Sequence, residues 1–166
     1  MEQAIYSNSS ILDQTIMGTL TALLDLAHRR AIELDLPYQG ALTPAEAHQV
    51  WQLAPGAKLV DVRSRAELHL VGHIPGAVNL EWELWPSGQI NTGFLTQLRQ
   101  AIDPESLVMF ICRSGHRSDN AARLVTQSGY NNCYNVLEGF EGALDANKQR
   151  GHIGGWKFAN LPWEQE

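Results

Sequence analysis

The residues best suited to chemistry lie in one stretch, Cys112-Arg113-Ser114-Gly115-His116-Arg117-Ser118. The cysteine follows an apolar run at 107–111, and a helical pattern begins near Ser118. A short apolar run bounded in this way reads as a buried strand, so the thiol stands where a strand gives way to a helix. In open α/β sheets, ligands gather at the carboxyl ends of the strands. A helix N-terminus there offers free N–H groups and partial positive charge. A tight curl through Ser114, Gly115 and His116 turns further N–H groups inward as an anion nest, and Gly115 supplies the backbone freedom. Arg113 and Arg117 add full positive charge. All of these favour thiolate over thiol and make Cys112 a candidate nucleophile. An inert packed cysteine is the plainer alternative, but two arginines, a glycine and a helix start close behind it weigh against that.

The elements that must position this loop follow from pattern and caps. Residues 11–35 carry Ile11, Leu12, Ile16, Leu20, Leu23, Leu24 and Ala27 near helical spacing, closed by Pro37 and Gly40. From sequence, this helix could pack on the core, pair with a copy of itself or dock a partner. Thr43-Pro44-Ala45-Glu46 combines an N-cap, a proline at the first helical position and a capping-box glutamate, so it opens a helix running to Leu53. Ser64-Arg65-Ala66-Glu67 is a second such start. Strands are expected at 58–62, 77–80, 107–111 and 134–137, a turn at 73–76, and helices at 94–102 and 118–128, the last stopped by Gly129. Strands alternating with helices indicate an α/β domain with a mostly parallel sheet.

Composition sets the outer bounds. The chain has 166 residues, 44% hydrophobic and 18% charged, which suits one globular domain. A net charge of -6 with no basic run argues against nucleic-acid binding. The longest apolar stretch, 11–27, is broken by Asp13, Gln14 and Asp25, so no membrane span is expected. The start, MEQAIYSNSS, lacks the marks of a secretory signal. Two cysteines, Cys112 and Cys133, give no disulfide framework and fit free thiols in a reducing cytoplasm. The six histidines and two cysteines show no metal-ligand spacing, and no metal is expected.

The stretch from Cys112 to Ser118 resembles the active-site loop of rhodanese-like sulfurtransferases. Further matches follow in order: Leu59-Val60-Asp61-Val62-Arg63, Glu67, Gly72-His73-Ile74-Pro75-Gly76-Ala77, Gly129-Tyr130 and Leu137-Glu138-Gly139. Together they span roughly residues 42–145, the extent of one such domain. The resemblance implies a five-stranded sheet with helices on both faces, here with an added N-terminal helix. The expected division is an N-terminal helical extension at 1–40, the domain at 41–145 and an aromatic tail at 146–166 packed back on it. It also implies a persulfide on Cys112, held by Arg113, Ser114, Gly115, His116, Arg117 and Ser118, with Asp61 and Arg63 in support. Donors of the thiosulfate type, a cyanide or thiol acceptor and a sulfur-relay protein are the implied partners, and no organic cofactor is required. The chain departs from the family at Phe140, where a second glycine commonly follows Gly139.

Loop length separates this reading from a related one. Four residues lie between Cys112 and Arg117. The cell-cycle phosphatases and arsenate reductases of the same superfamily carry one more. By resemblance, the shorter cradle suits a single sulfur atom and the longer one a tetrahedral oxyanion. A non-catalytic docking module of the same fold is a further rival, but such modules often lack the loop cysteine. Elsewhere, His116 is expected to point outward, His73 to brace a turn and Cys133 to be an unreactive packed thiol. Arg63 and Glu67 are read as a possible ion pair near one edge. Trp82 and Trp85 fit a pocket wall and core packing equally well.

Overall fold

Each central strand is buried on both sides, and its residues alternate between two apolar layers. The structure, a computed structural model, describes residues 2–166 and the side chains from residue 8 onward. In β4 (Val108–Ile111), Val108 and Phe110 join one layer, while Met109 and Ile111 join the other. In β2 (Lys58–Asp61), Val60 faces the first layer and Leu59 the second; in β5 (Cys133–Val136), Cys133 faces the first and Tyr134 the second. Continuous apolar strands of this kind belong to parallel sheets covered on both faces. The sheet order is β1-β5-β4-β2-β3, with β1 at Gly40–Leu42 and β3 at Val78–Asn79, and every pairing is parallel.

Parallel neighbours need crossovers, and helices supply them. These are α2 (Pro44–Leu53), α3 (Arg65–Val71), α4 (Phe94–Ala101) and α5 (His116–Gln127). Phe94 and Leu98 of α4 and Ala121, Ala122 and Val125 of α5 fill the first layer. Ala47 and Val50 of α2 fill the second, together with Leu20 and Ala27 of α1 (Glu2–Glu33). Both expected capping boxes form: Thr43 with Glu46 on α2, and Ser64 with Glu67 on α3.

The strand at β1 is absent from the pattern-based list, because Gly-Ala-Leu is short and carries no β-branched residue. It pairs with β5 through Gly40 opposite Tyr134. A Cβ on Gly40 would stand 2.8 Å from the Tyr134 ring and 2.9 Å from Ala27, so only glycine lets α1 cross this closely. Thus the second half of α1 lies on the core, burying Leu20, Ala27 and Ala31, and Arg30 binds Glu46 of α2 through both carboxylate oxygens. The helix begins at Glu2 rather than at 11, since residues 2–10 contain no glycine or proline to stop it. Ile11, Leu12 and Met17 in its first half are exposed.

The aromatic tail folds back over the second layer. Trp156 is fully buried, its N–H donates to the Gly139 carbonyl at 2.9 Å, and its indole N–H donates to the Pro162 carbonyl at 2.9 Å. Further on, Glu164 exchanges backbone hydrogen bonds of 2.8 and 2.9 Å with His73. His73, expected to brace its own turn, instead ties down the tail. No helix of the described residues is long and apolar enough to cross a membrane.

Candidate active site

Cys112 comes directly after β4 and keeps that strand's alternation, so its side chain enters the first apolar layer and is 1% exposed. Its Sγ accepts a hydrogen bond from the Gly115 N–H at 3.1 Å and another from the Ser118 hydroxyl at 3.2 Å. Gly115 adopts φ 105, which lets the chain turn straight into α5. The helix therefore starts at His116, two residues before the expected start at Ser118. His116, Arg117 and Ser118 are first-turn residues whose N–H groups lack partners within the helix, not members of an open loop.

A second turn clamps this one. Glu138 and Gly139 both have φ 66, and the curl they make turns the next two N–H groups onto the sulfur loop. Phe140 donates to the Cys112 carbonyl at 2.8 Å and Glu141 to the Arg113 carbonyl at 2.9 Å. From β5, the Asn135 side-chain amide donates to the Gly115 carbonyl at 3.2 Å. The backbone around the thiol is thus held from two sides.

The arginines have separate tasks. Arg117 gives both terminal nitrogens to Glu67, at 2.8 and 2.7 Å. Partial burial alone would raise the Glu67 pKa. Hydrogen bonds from Arg117 and Ser64, with the guanidinium charge, outweigh it and hold that carboxyl down to about 2. Glu67 in turn raises Arg117. Arg113 is exposed and makes no side-chain hydrogen bond or ion pair among the described residues. The anticipated Arg63–Glu67 pair is not formed. Arg63 binds Asp61 instead, Nη2 to Oδ2 at 2.7 Å and Nε to Oδ1 at 3.0 Å, in full burial.

Strand alternation explains this. Val60 and Val62 share the Cys112 layer, so Asp61 and Arg63 fall on the opposite face. Neither touches the sulfur, and the Asp61 carboxylate binds Arg63 rather than the loop. Their support is indirect: the Arg63 guanidinium lies 3.9 Å over the Phe140 ring, and the Phe140 N–H holds the Cys112 carbonyl. Phe140, in the position where the family commonly has glycine, is the platform for that buried cation.

A cavity of about 270 Å³ opens beside the loop, lined by Ser64, Glu67, Glu83, Leu84, Trp85, Pro86, Gly88, Arg113 and Arg117. Cys112 is not on its surface, but residues on both sides of the sulfur loop are. Trp85 stands on its wall at 69% exposure, whereas Trp82 is buried in the core against Phe94. Of the two tryptophans read as pocket wall or core, Trp85 is thus wall and Trp82 core, while Glu83, Leu84, Pro86 and Gly88 are absent from the candidates read out of the sequence. A larger concavity of about 390 Å³, lined by Asp61, Arg65, His69, His73 and Glu166 among others, carries no cysteine on its wall. His116 is exposed, as expected. Cys133 is buried, and burial pushes its thiol up to about 11.

The chain is similar in sequence and fold to known proteins. The model of the Rhodanese-like domain matches residues 46–146. The uncharacterized protein RP600 homolog of Rickettsia rickettsii is 43% identical over 110 residues, covering 65% of this chain and 83% of that protein. The thiosulfate sulfurtransferase GlpE of Haemophilus influenzae is 31% identical over 101 residues, covering 61% of this chain and 84% of its own length. The crystal structure of Rv0390 from M. tuberculosis superposes with a TM-score of 0.72 at 42% identity, covering 78% of this chain and 99% of that one. The matched span runs from α2 past the clamp on Cys112 and takes in every element that shapes the sulfur loop. With that span shared, the chain belongs to the rhodanese-like domain family.

Proposed function

We propose that this protein is a sulfurtransferase that carries sulfane sulfur as a persulfide on Cys112. The observation that carries the reading is the pair of hydrogen bonds into Sγ, from the Gly115 N–H and the Ser118 hydroxyl. Donors aimed at a sulfur stabilise negative charge on it, both before attack and on a persulfide afterwards. The likeness to a thiosulfate sulfurtransferase at 31% identity supports the same reading.

Two displacements make up the cycle. The Cys112 thiolate attacks the outer sulfur of a donor such as thiosulfate. A sulfur–sulfur bond forms to Cys112, the donor's own sulfur–sulfur bond breaks, and sulfite leaves with that electron pair. A thiol, cyanide or the cysteine of a sulfur-relay protein then attacks the terminal sulfur and releases the Cys112 thiolate. No oxidant or reductant is consumed.

Intact-mass measurement tests this directly. After incubation with thiosulfate the protein gains one sulfur atom, and cyanide removes it. Cys112→Ala gains none. Absence of that adduct across sulfur donors would remove the reading.

A further inference from the structure

The cavity beside the loop is not built to collect anions. Its wall carries two arginines, Arg113 and Arg117, and two carboxylates, Glu67 and Glu83, so its formal charges cancel. Arg117 is further occupied, because both of its terminal nitrogens are spent on Glu67. Arg113 is left as the one cation at the cavity without a partner among the described residues, and Glu83, likewise without a side-chain partner, faces the same space.

The remaining wall is apolar and fixed in place. Leu84, Trp85 and Pro86 sit on a hairpin in which Leu84 donates to the Gln89 carbonyl at 2.8 Å and Gly88 to the Leu84 carbonyl at 2.8 Å. Glu83 and Ile90 pair across its base, and Asn91 donates to the Trp82 carbonyl at 2.8 Å. Leu84 is 41% and Trp85 69% exposed, so a substantial apolar surface stands open at the rim. Exposed aromatic surface beside a pocket is a recurrent sign of ligand contact.

Thiosulfate is a poor match for these walls. It is a small dianion with no apolar part, and its leaving group, sulfite, keeps the negative charge. A neutral-sum cavity gives such a donor little attraction, and Glu83 repels it. An organic persulfide differs in both respects. Its body can lie against Trp85, Leu84 and Pro86, and its reaction develops a single negative charge, for which Arg113 is the free cation.

Resting on the sulfurtransferase reading above, we propose that the donor is an organic persulfide with an apolar body, selected by the 83–88 hairpin, and that Glu83 is the residue that disfavours thiosulfate. The Cys112 thiolate attacks the outer sulfur of R–S–SH, and a new sulfur–sulfur bond forms while the donor's own sulfur–sulfur bond breaks. The outer sulfur keeps its proton, and R–S⁻ leaves with the electron pair. One anion is consumed and one is formed, with no change in total oxidation state.

The test is single-turnover loading of the reduced full chain, followed by intact mass, with benzyl persulfide and with thiosulfate as separate donors. The wild type loads from benzyl persulfide with a second-order rate constant about tenfold or more above that for thiosulfate. Glu83→Gln raises loading from thiosulfate about five- to tenfold by removing one like charge from the wall. Trp85→Ala lowers loading from benzyl persulfide and so moves the ratio of the two donors toward thiosulfate. Equal or faster loading of the wild type from thiosulfate, with Glu83→Gln leaving the ratio unmoved, would overturn the donor assignment while leaving sulfur transfer intact. Loading of Cys112 from neither donor would overturn the sulfurtransferase reading itself, and this inference with it.

Discussion

Glu67 and Arg117 stand 50 residues apart in the chain and meet through two parallel hydrogen bonds, 2.7 and 2.8 Å long. The same carboxylate caps α3 by accepting from the Ser64 N–H at 2.9 Å. One side chain therefore joins the start of α3 to the first turn of α5, the helix that follows the sulfur loop.

Replacing Glu67 with glutamine should keep the cap and lose the ion pair. Because Arg117 is then left half-buried without its counter-charge, a stability loss of about 2–3 kcal/mol is expected in urea unfolding near neutral pH. The acid response fixes the sign. Glu67 falls from an ordinary 4.5 to about 2 in the fold. A carboxyl lowered on folding stabilises above its unfolded pKa, and that contribution, on the order of 3 kcal/mol, is lost as pH falls toward the folded value. The gap between wild type and Glu67→Gln should therefore close between about pH 4.5 and 2. A gap constant across that range would show that the pair does not carry it.

The two cysteines should separate cleanly. Cys133 is fully buried with its thiol pushed up to about 11, so at neutral pH it is a protonated, enclosed group. Cys133→Ala should still accept a sulfur atom, whereas Cys112→Ala should not. Loss of loading in both variants would mean that the thiols act as a pair.

Phe140→Gly restores the residue common in the family and should be costly here. It removes a fully buried ring and the face under the Arg63 guanidinium. A loss of about 3–5 kcal/mol is expected for the aromatic truncation, measured by denaturant midpoint. Retention of wild-type stability would show that the tail, not this ring, covers Arg63.

Gly139→Ala should act on the loop itself. At φ 66 a Cβ there would lie 2.5 Å from the Arg113 carbonyl carbon and 2.6 Å from the Cys112 carbonyl oxygen. The clamp must move to accept it, so destabilisation of about 2 kcal/mol or more and slower sulfur loading are expected together. A stable variant with unchanged loading would show that the 138–141 turn is not part of what shapes the site.

Loop length gives a prediction about the chemistry excluded. With four residues between Cys112 and Arg117, the protein should hydrolyse essentially no p-nitrophenyl phosphate while still accepting sulfur. Phosphatase turnover that disappears in Cys112→Ser would contradict the sulfurtransferase assignment.

Much of this was legible because local signals and global fold agree. Thr43 with Glu46 and Ser64 with Glu67 announce two helix starts, and the structure places both there. The Cys112 loop was legible because its chemistry is contiguous in sequence. Its partners were harder. Glu67 is visible as a capping residue, but nothing in its own neighbourhood tells that its carboxylate also reaches Arg117. Arg63 and Asp61, two residues apart, share a strand face, and that parity was available in the sequence. At the 83–88 hairpin only Trp85 was visible, as an even choice between pocket wall and core, because the hairpin's place beside the loop depends on where α5 begins. That start depends on the positive φ of Gly115, which pattern alone does not fix.

The strict alternation along β2 and β4 makes the sheet a partition between two kinds of interior. One side holds a thiol among aliphatic and aromatic groups; the other holds a buried guanidinium and its carboxylate beneath the tail. Strand register is therefore a chemical variable in this protein. A slip of one residue in β2 would turn Arg63 and Asp61 toward the thiol side and their apolar neighbours toward Phe140. A single-residue insertion or deletion in that strand would thus change what the Cys112 thiol is surrounded by, even if every backbone hydrogen bond re-formed.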